Sequence, residues 1–391
     1  KTIHRLLGLN GNDDLQNDEI KQLEGDLLVI DEMSMVDTGL FSTLVNAINP
    51  DMQVVLVGDK DQLPSVGPGQ IFNDLIKSGK IPTISLTKIY RQEQDSSIIQ
   101  LAHDIQKGVL PEDFTKNKKD KSFFLANANQ IVDAIDQIAQ KAVDKGISKN
   151  DIQVLAPMYR GSAGVDEINR HLQKVLNPPQ TDKPKRIESG NQTFRIGDKV
   201  LQLVNSPENN IFNGDIGEIT GIVTEKQGKG RAHLVVDYDG NEVTYAKTDL
   251  GQLTLAYCIS IHKSQGSEFP VVIMPMVHQY YRMLQRNLLY TGLTRASNSI
   301  ILLGEPDAYQ RAVSNESSNR NTSLERRINP QAEVLAEKVN QIQVSEPVDQ
   351  EQSTSEPVEV EQPKYLTTSM VQKEQVDPMI GMEGVTPYDF I

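Results

Sequence analysis

Two adjacent carboxylates, Asp31 and Glu32, directly follow the apolar run at residues 28–30. Such a run is typical of a buried strand in a parallel sheet, whose carboxyl end is where these sheets bind ligands. At a phosphate-hydrolysing site, the first carboxylate would hold Mg2+, usually through water, and the second would orient or deprotonate the attacking water. The same short pattern also fits a strand followed by an acidic helix cap, so both interpretations stay open.

A second apolar run, at residues 54–57, ends in a polar loop that contains Gly58 and Gln62. The two runs are about 25 residues apart, which is the spacing of a strand, helix, strand unit. The side-chain amide of Gln62 can donate and accept hydrogen bonds, which suits a sensor of a terminal phosphate or of the attacking water. A surface turn is the alternative for this loop alone, but two polar strand ends side by side favour a phosphate site.

Further blocks of sequence accompany these two strand ends in a fixed order. They are residues 2–8 (TIHRLLG), 90–92 (YRQ), 155–161 (LAPMYRG), 210–214 (NIFNG), 260–269 (SIHKSQGSEF) and 290–296 (YTGLTRA). Together they resemble the motor of a superfamily 1 DNA helicase of the RecD-like family, and the resemblance spans residues 1–328. It implies an α/β fold with two RecA-like parallel-sheet domains, the first incomplete, that use ATP and Mg2+ to move 5′ to 3′ along single-stranded DNA.

The resemblance places two arginines, Arg91 and Arg295, at the cleft between the motor domains, where they would reach the terminal phosphate of ATP. A guanidinium suits this task because it stays charged and pairs bidentately with phosphate oxygens. Since the two arginines come from opposite sides, ATP would close the cleft and hydrolysis would open it. A surface arginine paired with an acidic neighbour is the alternative for each.

The resemblance also places Gln265, Gly266 and Glu268 at the nucleotide. The Glu268 carboxylate would accept hydrogen bonds from a ribose hydroxyl, and a helix-capping glutamate is the alternative for this residue. Catalysis is therefore assigned to five residues, namely Asp31, Glu32, Gln62, Arg91 and Arg295, with Asp31 as the ligand of the metal ion.

A second set of polar and aromatic side chains is expected along the path of single-stranded DNA. The set consists of Thr2, His4, Arg5, Tyr159, Arg160, Asn213, His262, Lys263 and Ser264. Hydroxyl, imidazole and cationic groups of this kind hold a phosphate backbone, so binding should be largely independent of sequence and should weaken steeply with salt. A lone histidine is more often structural, but His4 and His262 both fall within matching motifs.

A helicase of this kind needs a glycine-rich loop ending in Gly-Lys-Thr, whose amides and lysine hold the phosphates. No such loop occurs in the 391 residues. Lys1 and Thr2 lead directly into the motif that follows the phosphate loop in the family. We therefore expect the chain to be a fragment whose N-terminal part lies outside this sequence, and we expect it to hydrolyse ATP negligibly by itself.

The domain organisation follows from composition shifts along the chain. We predict the remainder of the first RecA-like domain at residues 1–107, with a possible strand-separating pin at 8–25, and a linker with helices at 108–150. The second RecA-like domain is predicted at residues 151–189 and 253–328. Short β-rich segments between Asn-Gly and Asp-Gly turns predict a small barrel at 190–252, and the resemblance makes it SH3-like and a contact for single-stranded DNA. A packing module is the alternative.

The net charge of −14 is unevenly placed, because residues 331–391 hold 12 acidic side chains and only 3 lysines. This tail, predicted at 329–391, lacks a helical period and is expected to be disordered. Its last residues, 385–391, could dock on a partner protein or do nothing. The remaining residues can still carry a basic track for DNA.

The single cysteine, Cys258, excludes an internal disulfide and a cysteine zinc site. The sequence shows no 18-residue apolar run and no signal peptide, so we expect a cytoplasmic monomer without a membrane partner. The expected substrates are single-stranded DNA and duplex junctions, in repair or recombination. Two other functions stay open, namely the helicase half of a conjugative relaxase and a non-catalytic DNA-binding remnant.

Overall fold

The computed structural model describes residues 1–9, 22–86, 96–179, 185–224, 232–316 and 320–329. Contacts divide the chain into Lys1–Glu333 and Val334–Ile391, and the second unit lies outside the described residues. The predicted disordered tail after Asn329, most of the predicted pin and the expected phosphate contact Arg91 also lie outside them.

Outside the run of strands from residue 186 to residue 276, helices and strands are interspersed along the described chain, as in an α/β fold. The helices are α1 (Ile3–Leu7), α2 (Thr38–Ala47), α3 (Ile71–Ser78), α4 (Ser97–Gln106), α5 (Ile131–Asp144), α6 (Val165–Leu176), α7 (Arg286–Leu293), α8 (Pro306–Ser314) and α9 (Leu324–Ile328). The strands are β1 (Leu27–Ile30), β2 (Gln53–Leu56), β3 (Lys121–Leu125), β4 (Ile152–Ala156), β5 (Arg186–Ser189), β6 (Gln192–Arg195), β7 (Lys199–Gln202), β8 (Ile216–Val223), β9 (His233–Tyr238), β10 (Asn241–Ala246), β11 (Leu253–Leu255), β12 (Cys258–Ser260), β13 (Phe269–Met276) and β14 (Ala296–Gly304).

The two apolar runs near the start of the chain form β1 and β2, which pair in parallel and are joined through α2. The smaller of two hydrophobic cores includes Ile30, Met33 and Leu44. We call these two strands and the helices that share this core the first lobe. The prediction of a buried strand is wrong for most of β1, because Leu27 and Val29 are more than half exposed. This sheet has two strands within the described residues, and one of its faces is exposed at Leu27, Val29 and Val55.

The second parallel sheet has five strands in the order β12-β4-β13-β14-β3, and we call this sheet and its helices the second lobe. All five residues of β4 are buried, as expected for a central strand. Two elements differ from the predicted boundaries. Strand β3 comes from the predicted linker and forms an edge of this sheet, while α4 packs against α7 although it was predicted in the first domain. The apolar face of α4 explains the difference, since Ile98, Leu101 and Ile105 fill the larger core.

The β-rich region forms an antiparallel sheet in the order β10-β9-β8-β7-β11, accompanied by the β5-β6 hairpin. We call these strands, β5 to β11, the β module. Buried and partly buried residues alternate along β9, which is the pattern of a sheet with one face on the core. The predicted tight turn between β9 and β10 is present, because Asp239 and Gly240 both have positive φ angles.

Buried polar side chains join this β module to the second lobe. The Asp198 carboxylate accepts hydrogen bonds from the side chains of Gln173, Asn177 and Tyr257, and burial raises its pKa. The neighbouring Lys199 ammonium donates to the carbonyl oxygens of Asn150 (3.1 Å) and Ile152 (3.3 Å). Among the described helices, none is long and apolar enough to cross a membrane.

Candidate functional site

The predicted acid pair lies at the carboxyl end of β1, with Asp31 exposed and Glu32 half-buried. The Asp31 Oδ1 atom accepts a hydrogen bond from the Glu32 amide at 2.7 Å. Two backbone hydrogen bonds, from Val57 to Ile30 (2.7 Å) and from Met33 to Val57 (3.0 Å), join the ends of β1 and β2. The two predicted strand ends are therefore adjacent, as the parallel pairing requires.

The loop after β2 meets the second lobe at Tyr290. The Tyr290 hydroxyl donates to Asp59 Oδ2 at 2.8 Å, and the Gln62 amide nitrogen donates to the same oxygen at 3.4 Å. Burial and the nearby Asp59 carboxylate raise the pKa of Tyr290, so this hydroxyl stays protonated and acts as a donor. The Gln62 Oε1 atom is buried and has no hydrogen-bond partner among the described residues. It is therefore available as an acceptor for a ligand donor or a water molecule.

A pocket of about 250 Å³ lies between this loop and the second lobe. Its lining includes Lys60, Asp61 and Gln62 from the loop, and Arg286 and Tyr290 from α7. The pocket thus combines cations, a carboxylate and an amide from both lobes. Of the four predicted catalytic residues that the structure describes, Gln62 alone lines it.

Arg295 does not line this pocket. Its side chain is buried just after α7, with 5% of its surface exposed. Its guanidinium donates to the carbonyl oxygens of Thr291 (3.3 Å) and Ser267 (3.1 Å) and to the Thr294 hydroxyl (3.2 Å). In this conformation Arg295 fastens the turn that begins β14. It lines neither this pocket nor the larger cleft described below, and neither does Asp31.

The larger cleft has a volume of about 910 Å³ and brings together side chains from separate segments of the chain. Five of the residues predicted to contact DNA line it, namely Tyr159, Arg160, Asn213, His262 and Lys263. The Lys263 ammonium donates to Asn213 Oδ1 at 2.5 Å, which joins the β module to the second lobe at this point. Tyr159 is about half exposed, and its hydroxyl lies 3.4 Å from Ser260 Oγ.

Burial tunes the charges of this larger cleft. It lowers the pKa of His262, which favours a neutral imidazole that can donate and accept hydrogen bonds. It also lowers the pKa of Lys263, whose charged form is then poorly solvated and gains from an anionic partner. A phosphate group would supply that charge, so the cleft suits a polyanion with apolar faces.

Helix α1 brings the remaining predicted DNA contacts close to the β module. Thr2 caps this helix, since its hydroxyl accepts the Arg5 amide at 3.3 Å, and His4 is exposed. The Arg5 guanidinium lies 5.9 Å from the centre of the Phe212 ring. Phe212 directly precedes Asn213 in the sequence. Ser264 does not join these contacts in this conformation, because its side chain is fully buried and its hydroxyl donates to the Ile261 carbonyl.

The three residues predicted at the nucleotide do not line the pocket next to Gln62. Gln265 and Gly266 line the larger cleft, and the Gln265 amide donates to the Leu63 carbonyl oxygen at 2.9 Å. Glu268 is exposed and lines neither cavity. The structure therefore groups Gln265 and Gly266 with the expected DNA contacts, at the point where the two lobes touch.

Several residues at these sites carried no role in the sequence prediction. Asp59, Arg286 and Arg282 are examples, and Tyr290 belonged to a recognised block without an assigned role. Asp59 and Tyr290 are 231 positions apart in the sequence, so only the packing of the lobes brings them together. The available signal was a tyrosine that directly follows two leucines in α7, because a buried hydroxyl needs a partner.

The described part of the chain contains no cluster of three or more side chains that could hold a metal ion. A single exposed carboxylate, Asp31, fits only a cation that keeps most of its ligands as water or as phosphate oxygens. Mg2+ bound with a nucleotide has this coordination, so Asp31 is compatible with the expected role without forming a resident metal site.

Comparisons with known proteins identify three segments. Residues 1–126 match the AAA domain, residues 168–238 the ATP-dependent RecD-like DNA helicase SH3 domain, and residues 255–303 the UvrD-like helicase C-terminal domain. An ATP-dependent RecD2 DNA helicase from Deinococcus radiodurans is 37% identical over 84% of this chain and 43% of its own length.

More distant relatives include the RecBCD enzyme subunit RecD of Mycolicibacterium smegmatis, which is 28% identical over 84% of this chain and 59% of its own length. The chain thus spans about half the length of the curated relatives it matches. A crystal structure of a Bacteroides Pif1 helicase with ADP-AlF3 and single-stranded DNA covers 87% of this chain and 83% of its own, with a TM-score of 0.48 and 19% identity.

Proposed function

Because the chain belongs to the RecD-like superfamily 1 helicases, we propose that it supplies the strand-binding track and one wall of the nucleotide site of an ATP-dependent DNA helicase. The observation that carries the proposal is the larger cleft, where three cations or hydrogen-bonding groups, an exposed tyrosine and the Asn213 turn converge from separate motifs. Movement from 5′ to 3′, and work in repair or recombination, belong to the same proposal and are supported by the family relationship alone.

The larger cleft has the chemistry of a site for single-stranded DNA. Arg160, Lys263 and Arg282 supply positive charge for phosphates, while Tyr159 and Met158 supply surfaces for the faces of bases. Base-aromatic stacking contributes about 1–3 kcal/mol per base and tolerates any sequence. The combination favours binding that does not depend on sequence and that weakens with salt.

The nucleotide site is proposed at the ends of β1 and β2, with Asp31 for Mg2+, Glu32 for the attacking water and Gln62 as the sensor. Arg91 and Arg295 are proposed to reach the terminal phosphate from either side. The conformation of Arg295 described above requires its guanidinium to leave three acceptors before it could do so, which makes the contact conditional on a movement of the lobes.

Single-strand affinity tests the proposal. We expect the chain to bind a fluorescein-labelled oligothymidine in an anisotropy titration. Lys263→Ala should weaken this binding about tenfold at low salt, because a DNA phosphate then loses its cationic partner. The exposed Lys247, on the β module away from the cleft lining, offers Lys247→Ala as the matched control. Equal affinities for the two variants would contradict the proposed track.

The same preparation should turn over ATP negligibly, since its 391 residues contain no Gly-Lys-Thr phosphate loop. Turnover stimulated by single strands would contradict this part of the proposal while leaving the strand track intact. The proposed monomeric state and a partner for the tail stay predictions, and they are independent of both measurements.

A further inference from the structure

A short loop between the two cavities presents an apolar side chain to open solvent. We call residues 64–69 the Val66 loop, after the side chain at its tip, which is 90% exposed. Pro64 lines the pocket between the lobes, whereas Val66 lines the larger cleft. An isolated exposed valine needs no explanation by itself, so the way in which the loop is held decides whether its position matters.

Helix α2 holds the inner side of this loop. The Thr38 amide donates to the Pro68 carbonyl oxygen at 2.9 Å. A Cβ atom at Gly67 would lie only 2.1 Å from Asp37 Oδ2, and one at Gly69 would lie 2.0 Å from Thr38 Oγ1. The loop is therefore pressed against the start of α2, and glycine is required at both positions because any side chain would push it away.

Arg320 holds the outer side. Its Nη2 atom donates to the Ser65 carbonyl oxygen at 2.6 Å, and its Nη1 atom donates to the carbonyl oxygens of Gly67 and of Gly69, the latter at 2.8 Å. One guanidinium thus pairs with alternate carbonyl groups along the whole loop. A lysine could not reproduce this geometry, because its three donors lie on one nitrogen atom, whereas the planar guanidinium fork holds two separate nitrogens against the loop.

The segment that carries Arg320 follows the second lobe in sequence but packs on the first. Leu324 of α9 contacts the smaller core, and the Asn329 amide donates to the Ser78 carbonyl oxygen at 2.8 Å. Helix α9 lies against α3 in the same way. Arg320 is therefore fixed to the first lobe from its C-terminal side, and the loop is clamped between two elements that are far apart in sequence.

We propose that Arg320 is a positioning residue for the strand track: it fixes the Val66 loop so that Val66 meets the apolar faces of a bound single strand. This inference rests on the proposed function, since it takes the larger cleft as the place of the strand. Fixing the loop in advance lowers the entropic cost of binding, because the ordering has been completed before the strand arrives.

Two measurements test the proposal separately. Cys258 is the single cysteine and is buried, so a nitroxide can be attached selectively to Val66→Cys. Its electron paramagnetic resonance spectrum should show an immobilised label with Arg320 present, and a mobile one with Arg320→Ala or Arg320→Lys. Strand affinity is measured by anisotropy in unlabelled proteins that retain Val66. Both Arg320 variants should bind roughly tenfold more weakly, the size expected for losing one apolar contact.

The lysine variant separates positioning from charge. Because it keeps the cation, an electrostatic role predicts parental affinity for Arg320→Lys, whereas the positioning role predicts a loss with an unchanged dependence on salt. Arg311→Ala, at an exposed position of α8, is the matched control and should alter neither readout. Thermal midpoints within a few degrees of the parent establish that each variant is folded.

The outcomes distinguish this inference from the proposed function. A parent that fails to bind single strands refutes the proposed function before any variant is compared. A parent that binds, with parental affinity in Arg320→Lys or with a label that stays immobilised in the Arg320 variants, overturns the positioning role of Arg320 alone.

Discussion

At the scale of single residues, the backbone of Glu32 is the most informative feature, with φ of 54° and ψ of 40°. A residue other than glycine in this left-handed region costs about 1 kcal/mol or more, and such conformations cluster at functional sites. The hydrogen bonds of the Glu32 amide to Asp31 and of the Met33 amide to Val57 keep it there. The acid pair is thus positioned by backbone contacts, which leaves the side chain of Glu32 available to a ligand.

Substitutions at Glu32 measure this strain. Glu32→Gly should leave the free energy of unfolding within about 1 kcal/mol of the parent, whereas Glu32→Val should lower it by about 1–2 kcal/mol because a branched Cβ crowds the left-handed backbone. Urea unfolding gives both values. The control position is the exposed Lys145, where φ is −87°. There the order should reverse, so that Lys145→Gly is less stable than Lys145→Val. The same order at both positions would show that the Glu32 conformation stores no strain.

The residue types at both sites could be predicted from the sequence, but their state could not. Arg295 was expected at a phosphate and is instead buried among backbone acceptors, and Ser264 was expected on DNA and is buried. Each lies within three residues of a fully buried side chain, Ile261 or Leu293, and the packing there decides which way the polar side chain turns. A motif gives the chemistry of a side chain, while its exposure depends on neighbours that are distant in sequence.

At the scale of elements, alternation in the sequence located the β module closely. The region predicted to be β-rich, at 190–252, contains β6 to β10, because the alternation of apolar and polar residues and the Asp-Gly turn are local signals. The place of β3 was not predictable in this way. Its pairing with β14 depends on a partner about 180 residues away, and no local pattern specifies that register.

Strand β7 carries a buried cation whose titration reports on the junction between the β module and the second lobe. Burial lowers the pKa of Lys199 from 10.5 to about 8, with Asp151 and Lys149 acting in opposite directions. Between these two values the unfolded chain binds more protons than the folded chain, so stability rises with pH across this window. Below pH 8 the lysine is charged in both states, and its desolvation cost is present in full.

Replacing Lys199 with methionine tests this linkage. From pH 7.5 to 9.5 the parent should gain about 2 kcal/mol from this residue, and Lys199→Met should lack that gain because it has no proton to release. Urea unfolding at the two pH values provides the comparison, with Lys145→Met as an exposed control that should behave as the parent does. An identical pH response of Lys199→Met and the parent would show that Lys199 titrates normally.

At the scale of the whole molecule, the loop after β2 connects the two cavities. Its Asp59 bonds to Tyr290 of α7, its Leu63 amide bonds to the Thr291 hydroxyl at 2.9 Å, and its Leu63 carbonyl accepts from Gln265 in the larger cleft. One short segment therefore contacts residues of both cavities. Coupling between the cavities needs two arrangements of the lobes, and these direct hydrogen bonds define the arrangement described here.

The strength of that connection can be measured by a double-mutant cycle between Tyr290→Phe and Asp59→Ala. The hydroxyl donates to a carboxylate in a partly buried contact, so we expect a coupling energy of about 1–2 kcal/mol in the free energy of unfolding. Pairing Tyr290→Phe with Thr248→Ala, an exposed change in the β module, should instead be additive within about 0.5 kcal/mol. Additivity in both cycles would mean that the contact between the lobes contributes nothing in solution, and that the loop transmits no free energy through Tyr290.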